Sequence, residues 1–348
     1  MVLYGRAAEK KIKELHELHI PVYSYSRLST GNDCMYEFDL TYNQKKDELD
    51  NIYSYLGGAV HAGLEDIYNG KENKLMEVFQ KAWTEAKEKD LKFTDDTIKK
   101  NYYTCVEHYI NNFVPEDLQG TQEFLFLIEI NGVWVRGYVD RITRDPFSND
   151  KTLRIMDFKT SSKFSSKSLQ GYGRQLILYG YALEKLTGYK VTSLCWNMLK
   201  MVHCEYTGKT SKRTFIQDRN KFVMYWKKEI IDELCKAGHD IEEAIEIWSE
   251  HEELNIIPPE ISDKFIIHDA LVYYPFTEEN INEMKEWVVE TAKKIESTDK
   301  FEPCLITKQS YKCFNLCGHR DKCEALKTYI KNLPIHAVEG CDDLSKWF

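Results

Sequence analysis

Two aspartates and a lysine carry the strongest chemical signal in the sequence. Asp140 ends the run Gly137-Tyr138-Val139-Asp140, and seventeen residues later comes Asp157-Phe158-Lys159. If the second run is a strand, Asp157 and Lys159 project from one side of it, because side chains alternate along a strand. A neighbouring strand can bring Asp140 beside them. Carboxylates gathered in this way repel one another unless a cation lies among them. A hard divalent ion such as Mg²⁺ takes carboxylate oxygens and keeps several waters. Next to a phosphate it polarises the scissile group and lowers the pKa of an attacking water. A lysine beside it can position or deprotonate that water and balance charge developing on the phosphate. Asp-x-Lys alone is common, and its ordinary meaning is a structural salt bridge.

Other residues accompany the triplet. His61 and Glu65 stand one helical turn apart in Gly57-Gly58-Ala59-Val60-His61-Ala62-Gly63-Leu64-Glu65, so a helix presents both on one face. Gln175 and Tyr179 repeat that spacing after the lysine. Taken singly, a histidine or tyrosine of this kind is more often a core residue than a ligand. Between Lys151 and Arg174 the basic residues Lys151, Arg154, Lys159, Lys163, Lys167 and Arg174 face a single acid, Asp157. The whole chain has a net charge of −9, which argues against a generally basic nucleic-acid binder. A phosphate-binding face needs only local charge, and Lys163, Lys167 and Arg174 are its candidates here.

The ten cysteines form the second cluster of interest. Cys105, Cys195, Cys204 and Cys235 lie singly among apolar or helical residues and read as small core side chains. Cys304 and Cys341 are open. Cys313, Cys317 and Cys323 fall within eleven residues. That is too dense for chance and one short of the four ligands that zinc or a cubane iron–sulfur cluster takes. His319 could complete a local zinc site. The alternative is a distant cysteine such as Cys34.

In this order and spacing, His61, Gly137-Tyr138-Val139-Asp140, Asp157-Phe158-Lys159 and Gln175-x-x-x-Tyr179 resemble the RecB-like exonucleases of the PD-(D/E)XK superfamily. The resemblance implies a restriction-endonuclease-like α/β core, and Mg²⁺ or Mn²⁺ held by His61, Asp140, Asp157 and the backbone carbonyl of Phe158. It makes Lys159 the catalytic lysine, with Gln175 and Tyr179 positioning the DNA strand or the nucleophile. It also implies a 4Fe–4S cluster on Cys34, Cys313, Cys317 and Cys323, because Ser26-Arg27-Leu28 ahead of Cys34 is similar to the family's pattern there. The three residues between Cys313 and Cys317 depart from the family's usual two, so Cys304 stays in reserve and zinc stays open. The implied substrate is DNA with a single-stranded end. Gly208-Lys209-Thr210 lacks the earlier glycine of a phosphate loop, so unwinding would need a helicase or recombination partner.

These residues require particular elements. Leu75 to Ala86 and Ile98 to Phe113 carry apolar residues at helical spacing. Glu123 to Ile130 and Val133 to Ile142 read as strands around the hairpin turn Asn131-Gly132. Leu153 to Phe158 is a third strand, Leu169 to Leu186 a helix, and Val191 to Val202 a further strand. That order predicts a mixed sheet flanked by helices. The expected organisation is an N-terminal segment over 1–50 carrying the first cluster cysteine and a nuclease core over 51–205. A mainly helical region over 206–300 and a cysteine segment over 301–348 complete it. No stretch is long and apolar enough to span a bilayer, and the sequence reads as cytoplasmic. Two other functions fit parts of the pattern: a nucleic-acid-binding protein whose centre has lost activity, and an interaction protein with a zinc clasp.

Overall fold

The computed structural model describes all residues except 116–118, 146–150, 163, 165, 209–211 and 334–348, and leaves aside the side chains of 166–168. An eight-stranded sheet organises the chain. Its strands are β1 (Val2–Tyr4), β2 (Val22–Ser24), β3 (Thr121–Ile130), β4 (Val133–Arg144), β5 (Thr152–Lys159), β6 (Lys190–Thr207), β7 (Lys212–Asp218) and β8 (Phe265–Tyr274). The helices are α1 (Gly5–Glu17), α2 (Tyr25–Asp33), α3 (Met35–Phe38), α4 (Ile52–Tyr68), α5 (Leu75–Glu88), α6 (Asp96–Asn111), α7 (Ser166–Thr187), α8 (Phe222–Tyr225), α9 (Lys227–Ala237), α10 (Ile241–Leu254), α11 (Glu278–Glu296) and α12 (Glu324–Lys331).

The strands run in the order β1-β3-β4-β5-β6-β7, with β2 on β4 and β8 on β6. The β2–β4 and β5–β6 pairs are parallel and the rest antiparallel. This is the mixed α/β core expected. The β3–β4 hairpin turns at Asn131 and Gly132 with φ of 48° and 89°. Both residue types tolerate that left-handed conformation, and its twist suits the strands it joins.

The region 206–300 carries α8 to α11 and also supplies β7 and β8 to the sheet. Phe265-Ile266-Ile267-His268-Asp269-Ala270-Leu271-Val272-Tyr273-Tyr274 is rich in β-branched and aromatic residues, and β6 pairs with it along most of its length. The N-terminal segment likewise adds β1 and β2, so the sheet reaches outside 51–205 at both ends.

Each face of the sheet has its own core. Ile155 and the α7 residues Leu176, Ile177, Leu178, Tyr179 and Leu183 belong to one. Met156 and Phe158 belong to the other, with Leu56, Val60 and Leu64 of α4 and Phe79 and Tyr102 of α5 and α6. Alternation along β5 therefore puts Asp157 and Lys159 on the α7 side and Phe158 on the α4 side. The functional residues sit where these two layers meet the end of β5.

Candidate active site

The β3–β4 register pairs Gln122 with Arg141 and Phe124 with Val139, leaving Glu123 and Asp140 as the skipped rung between them. The β4–β5 ladder begins at Arg141–Met156, so the next rung outward sets Asp140 beside Asp157. Three acids thus occupy neighbouring positions on three strands, at the rung where ladder pairing gives way. Glu123 has a φ of 45°, a left-handed conformation that costs a non-glycine residue of order 1–3 kcal/mol and gathers at functional sites.

The side chains converge from there. Asp140 Oδ2 accepts a hydrogen bond from the Phe158 amide at 3.0 Å. Lys159 Nζ lies 2.6 Å from Asp157 Oδ2, and Asp157 is 2% exposed. His61 reaches in from α4, with Nε2 2.7 Å from the Phe158 carbonyl oxygen and Nδ1 3.5 Å from Asp140 Oδ2. The carbonyl can only accept, so Nε2 carries the proton and Nδ1 presents its lone pair toward Asp140. Gln175 Nε2 donates to the Tyr179 hydroxyl at 2.8 Å. Tyr179 lies over β4 where Gly137 has no side chain; a Cβ there would come within 2.9 Å of its ring and 2.7 Å of Phe126.

The electrostatics describe a pocket short of positive charge. Burial, followed by the Asp157 carboxylate, raises Asp140 to about 8, while Lys159 and the Phe158 amide act against that rise. Burial and the charges of Glu65 and Asp157 raise Glu123. Burial lowers His61 despite the nearby Asp157, which keeps the imidazole in its neutral, ligand form. Burial would also lower Lys159, but Asp157 and Asp140 outweigh it and hold the ammonium more firmly protonated than usual. Burial, then Asp157, raises Tyr179, so its hydroxyl keeps its proton.

A divalent cation fits this donor set. The Nδ1 lone pair and the Asp140 oxygen repel across 3.5 Å unless a proton or a metal ion relieves them, and two further carboxylates lean on the same space. Among the described residues no three His, Cys, Asp or Glu side chains already stand as a metal-holding group. The Lys159–Asp157 and His61–Phe158 contacts occupy those atoms instead, and a cation would have to displace them.

Glu123 and Glu65 belong to this pocket, yet only Glu65 stood out in the sequence, as the helical neighbour of His61. The available signal for Glu123 was its place opposite Asp140 across the Asn131-Gly132 hairpin. Arg174, one of the expected phosphate contacts, is paired within the protein. Its guanidinium donates to both carboxylate oxygens of Glu283, with Nε 2.8 and 3.2 Å away, and lies over the Trp287 ring at 5.0 Å. It joins α7 to α11. Lys163 and the side chain of Lys167 lie outside the described residues.

A second cluster joins the two ends of the chain. Cys34, Cys304, Cys313, Cys317 and Cys323 line one cavity together with Glu37, Lys312 and His319, and all five thiols are free. Cys304 Sγ is 3.6 Å from Cys313 Sγ, and the Cys304 amide donates to Cys34 Sγ at 3.4 Å. Burial, reinforced by Cys34 and Cys313, raises Cys304; burial raises Cys313 against the opposing hydrogen bond with Cys304, and burial with Glu37 takes Cys317 up to about 12. Backbone bonds from Tyr36 to Glu302 (3.1 Å) and from Leu49 to Gly318 (2.8 Å) hold the two segments together. His319 is 1% exposed, and its Nε2 meets Thr41 Oγ1 at 2.9 Å. Cys341 lies outside the described residues.

The sequence profile of the PD-(D/E)XK nuclease superfamily matches residues 22–324. The chain belongs to that superfamily. Among solved structures it is similar to the crystal structure of a protein from Eubacterium rectale named as a candidate exonuclease. The two are 10% identical, with a TM-score of 0.40 over 93% of this chain and 94% of that one. No curated protein matches the chain. Among the described residues, no helix is long and apolar enough to cross a membrane.

Proposed function

We propose that the chain is a divalent-metal-dependent DNA nuclease, acting as an exonuclease on a strand with a free end. One observation carries the reading: in a member of this superfamily, Asp140, Asp157, His61 and Lys159 converge at the end of β5 with more negative charge than the pocket can hold alone. His61, Asp140, Asp157 and the Phe158 carbonyl would hold Mg²⁺ or Mn²⁺. The bound ion would polarise the phosphodiester and supply an acidified water. Lys159, held protonated by Asp157 and Asp140, is placed to stabilise charge growing on the phosphate and is a poor base while those carboxylates remain unshared. Gln175 and Tyr179, bonded to each other, are fixed donors for the strand or the water. Lys163 and Lys167 remain the proposed phosphate contacts leading to the pocket. The test is cleavage of end-labelled single- and double-stranded DNA with Mg²⁺, with Mn²⁺ and with chelator. Absence of metal-dependent cleavage on every substrate overturns it.

The thiol cavity is proposed as a metal clasp that ties the N-terminal and C-terminal segments to the core. Its donor set fits a thiophilic centre, since buried thiols with raised pKa values become good ligands only when a metal takes the proton's place. A 4Fe–4S cluster on Cys34, Cys313, Cys317 and Cys323 is the first reading. Zinc is the second. It is favoured by the 3.6 Å approach of Cys304 to Cys313, near the ~3.8 Å separating two thiolates on one tetrahedral ion with Zn–S bonds of about 2.3 Å. Anaerobic purification followed by iron, sulfide and zinc analysis decides between them.

A further inference from the structure

The exposed face of α7 leads outward from the candidate active site. Tyr179, Gln175 and Tyr172 are spaced four and three residues apart, so they line one side of the helix. Tyr179 is buried against the acids, and Tyr172 is 43% exposed. Tyr172 stands about two helical turns from Tyr179 on that side of the helix, so its exposed ring is the next group along the face that leads out from the acids.

The ring is firmly supported. It stacks on Phe164 with centroids 4.3 Å apart and planes 22° apart. Phe164 in turn meets the buried Trp196 edge-on at 4.9 Å, and Trp196 meets Tyr274 at 5.8 Å. The backbone on either side of Tyr172 is also fixed. The Gly171 carbonyl accepts from the Tyr25 hydroxyl at 2.5 Å. Gly173 lies so close under the Tyr274 ring that a Cβ there would collide with it. Arg174 is locked to Glu283. An aromatic ring exposed on its outer face, backed by three more rings and clamped along its backbone loses little freedom when something lies on it. The cost of ordering a contact is then already met by the fold.

We propose that Tyr172 is a stacking platform for one unpaired nucleobase, placing the strand's backbone at the carboxylate pocket. Every base has a flat face, so such a plate accepts single-stranded DNA without reading its sequence. A base inside a duplex is already stacked on both sides, and the platform therefore selects a frayed or single-stranded end. This inference rests on the nuclease reading and names the form of substrate that the same site takes.

The test is binding of a fluorescein-labelled single-stranded oligonucleotide to the full chain, with Ca²⁺ replacing Mg²⁺ so that the strand is not consumed. Base stacking on an aromatic side chain predicts roughly five- to hundredfold weaker binding for Tyr172→Ala, with rescue by Tyr172→Phe. A single abasic position walked along the strand should, at one place, weaken wild-type binding to the level of Tyr172→Ala and leave that variant unaffected. The melting temperature of each variant shows whether the stack behind the ring is intact. Tyr172→Ala binding as tightly as wild type overturns the platform, as does a loss equal at every abasic position. If the wild type cuts DNA while Tyr172→Ala binds normally, the platform alone falls. If the wild type neither binds nor cuts, the nuclease reading falls with it.

Discussion

The carboxylate pocket and the thiol cavity are both candidate metal centres, built in opposite ways. The pocket draws Glu123, Asp140 and Asp157 from adjacent strands, and ladder hydrogen bonds on either side fix where they stand. The cavity draws Cys34 from the connection between α2 and α3 and four more thiols from the last segment, 270 residues beyond it at the nearest. Backbone bonds, the pairs of Lys312 with Asp33 (3.3 Å) and Glu37 (2.8 Å), and side-chain bonds such as Gln309 to the Asp33 carbonyl (3.2 Å) and Thr41 to His319 (2.9 Å) join those segments. The sheet holds its site in place even though the site's charges repel. The cavity closes a very long loop, and there a metal would supply folding free energy directly. One site spends stability for chemistry, and the other would gain stability from its ligand.

The largest expected effect breaks the pocket without breaking the fold. Asp157→Ala, Asp140→Ala and Lys159→Ala should each reduce cleavage at least about a hundredfold, the scale of losing one group that stabilises transition-state charge. In chelator Asp140→Ala and Asp157→Ala should melt at or above the wild-type temperature, because each acid removed relieves repulsion, whereas Lys159→Ala should melt lower, because it leaves the buried Asp157 carboxylate without its cation. Near-normal turnover by any one of the three variants removes that residue from the chemistry.

The clasp should respond in the reverse sense. Cys34→Ser should lose the bound metal and melt more than about 5 °C lower, given roughly 2–4 °C per kcal/mol for a sizeable domain. Cleavage measured well below the melting point should fall much less than in Asp157→Ala. Full metal content in Cys34→Ser would show that the two chain ends are not joined through it.

The third effect is a pH dependence. Asp140 in the folded, metal-free protein titrates at about 8 against an ordinary 3.8, so the folded state holds a proton that the unfolded chain has released. Stability is therefore greatest below pH 4 with respect to this group and declines as pH rises toward 8. Thermal melts in chelator between pH 6 and pH 8 should show that decline, and Ca²⁺ or Mg²⁺ should flatten it. Asp140→Asn should remove the slope, and a slope that persists in that variant assigns it to another group.

Arg174→Ala comes next. It removes the Glu283 pair, with side chains 21% and 32% exposed, and the contact over Trp287. A partly screened charged pair of this kind contributes about 1–2 kcal/mol, or a few degrees of melting temperature. The salt dependence of DNA binding should not change, because no phosphate contact is lost. A flatter salt slope would return Arg174 to the DNA path.

What the sequence disclosed follows from how local each signal is. Asp140, Asp157 and Lys159 are legible because strand alternation and the Asn131-Gly132 turn determine which residues meet. His61, Gln175 and Tyr179 are legible from helical spacing. Glu123 was hidden at the start of a strand, with a left-handed backbone that no residue type announces. The role of Arg174 depends on Glu283, 109 residues away, and a run of basic residues says nothing about partners at that distance. β8 was missed because acidic helices and Pro258-Pro259 precede it, though its own composition is strand-like. The approach of Cys304 to Cys34 and Cys313 is a matter of loop closure, which has no periodicity to read.

The smallest expected effect tests the clasp most finely. Cys304 lies against Cys34 and Cys313, yet the four-cysteine reading assigns it no ligand role. On that reading Cys304→Ser keeps iron and sulfide at wild-type levels. It exchanges one small polar side chain for another in the cavity wall, so the melting temperature shifts by no more than about 2 °C, the scale of a modest side-chain change. If Cys304 and Cys313 instead share one zinc ion, the same substitution removes a ligand, and metal content and stability fall as far as in Cys34→Ser. Cys317→Ser supplies the counterpart: it is damaging under the iron–sulfur reading and mild if Cys304 is the fourth zinc ligand beside Cys34, Cys313 and Cys323. Metal analysis and melting of the two variants side by side therefore choose the ligand set, and the variant that retains its metal identifies the spectator thiol.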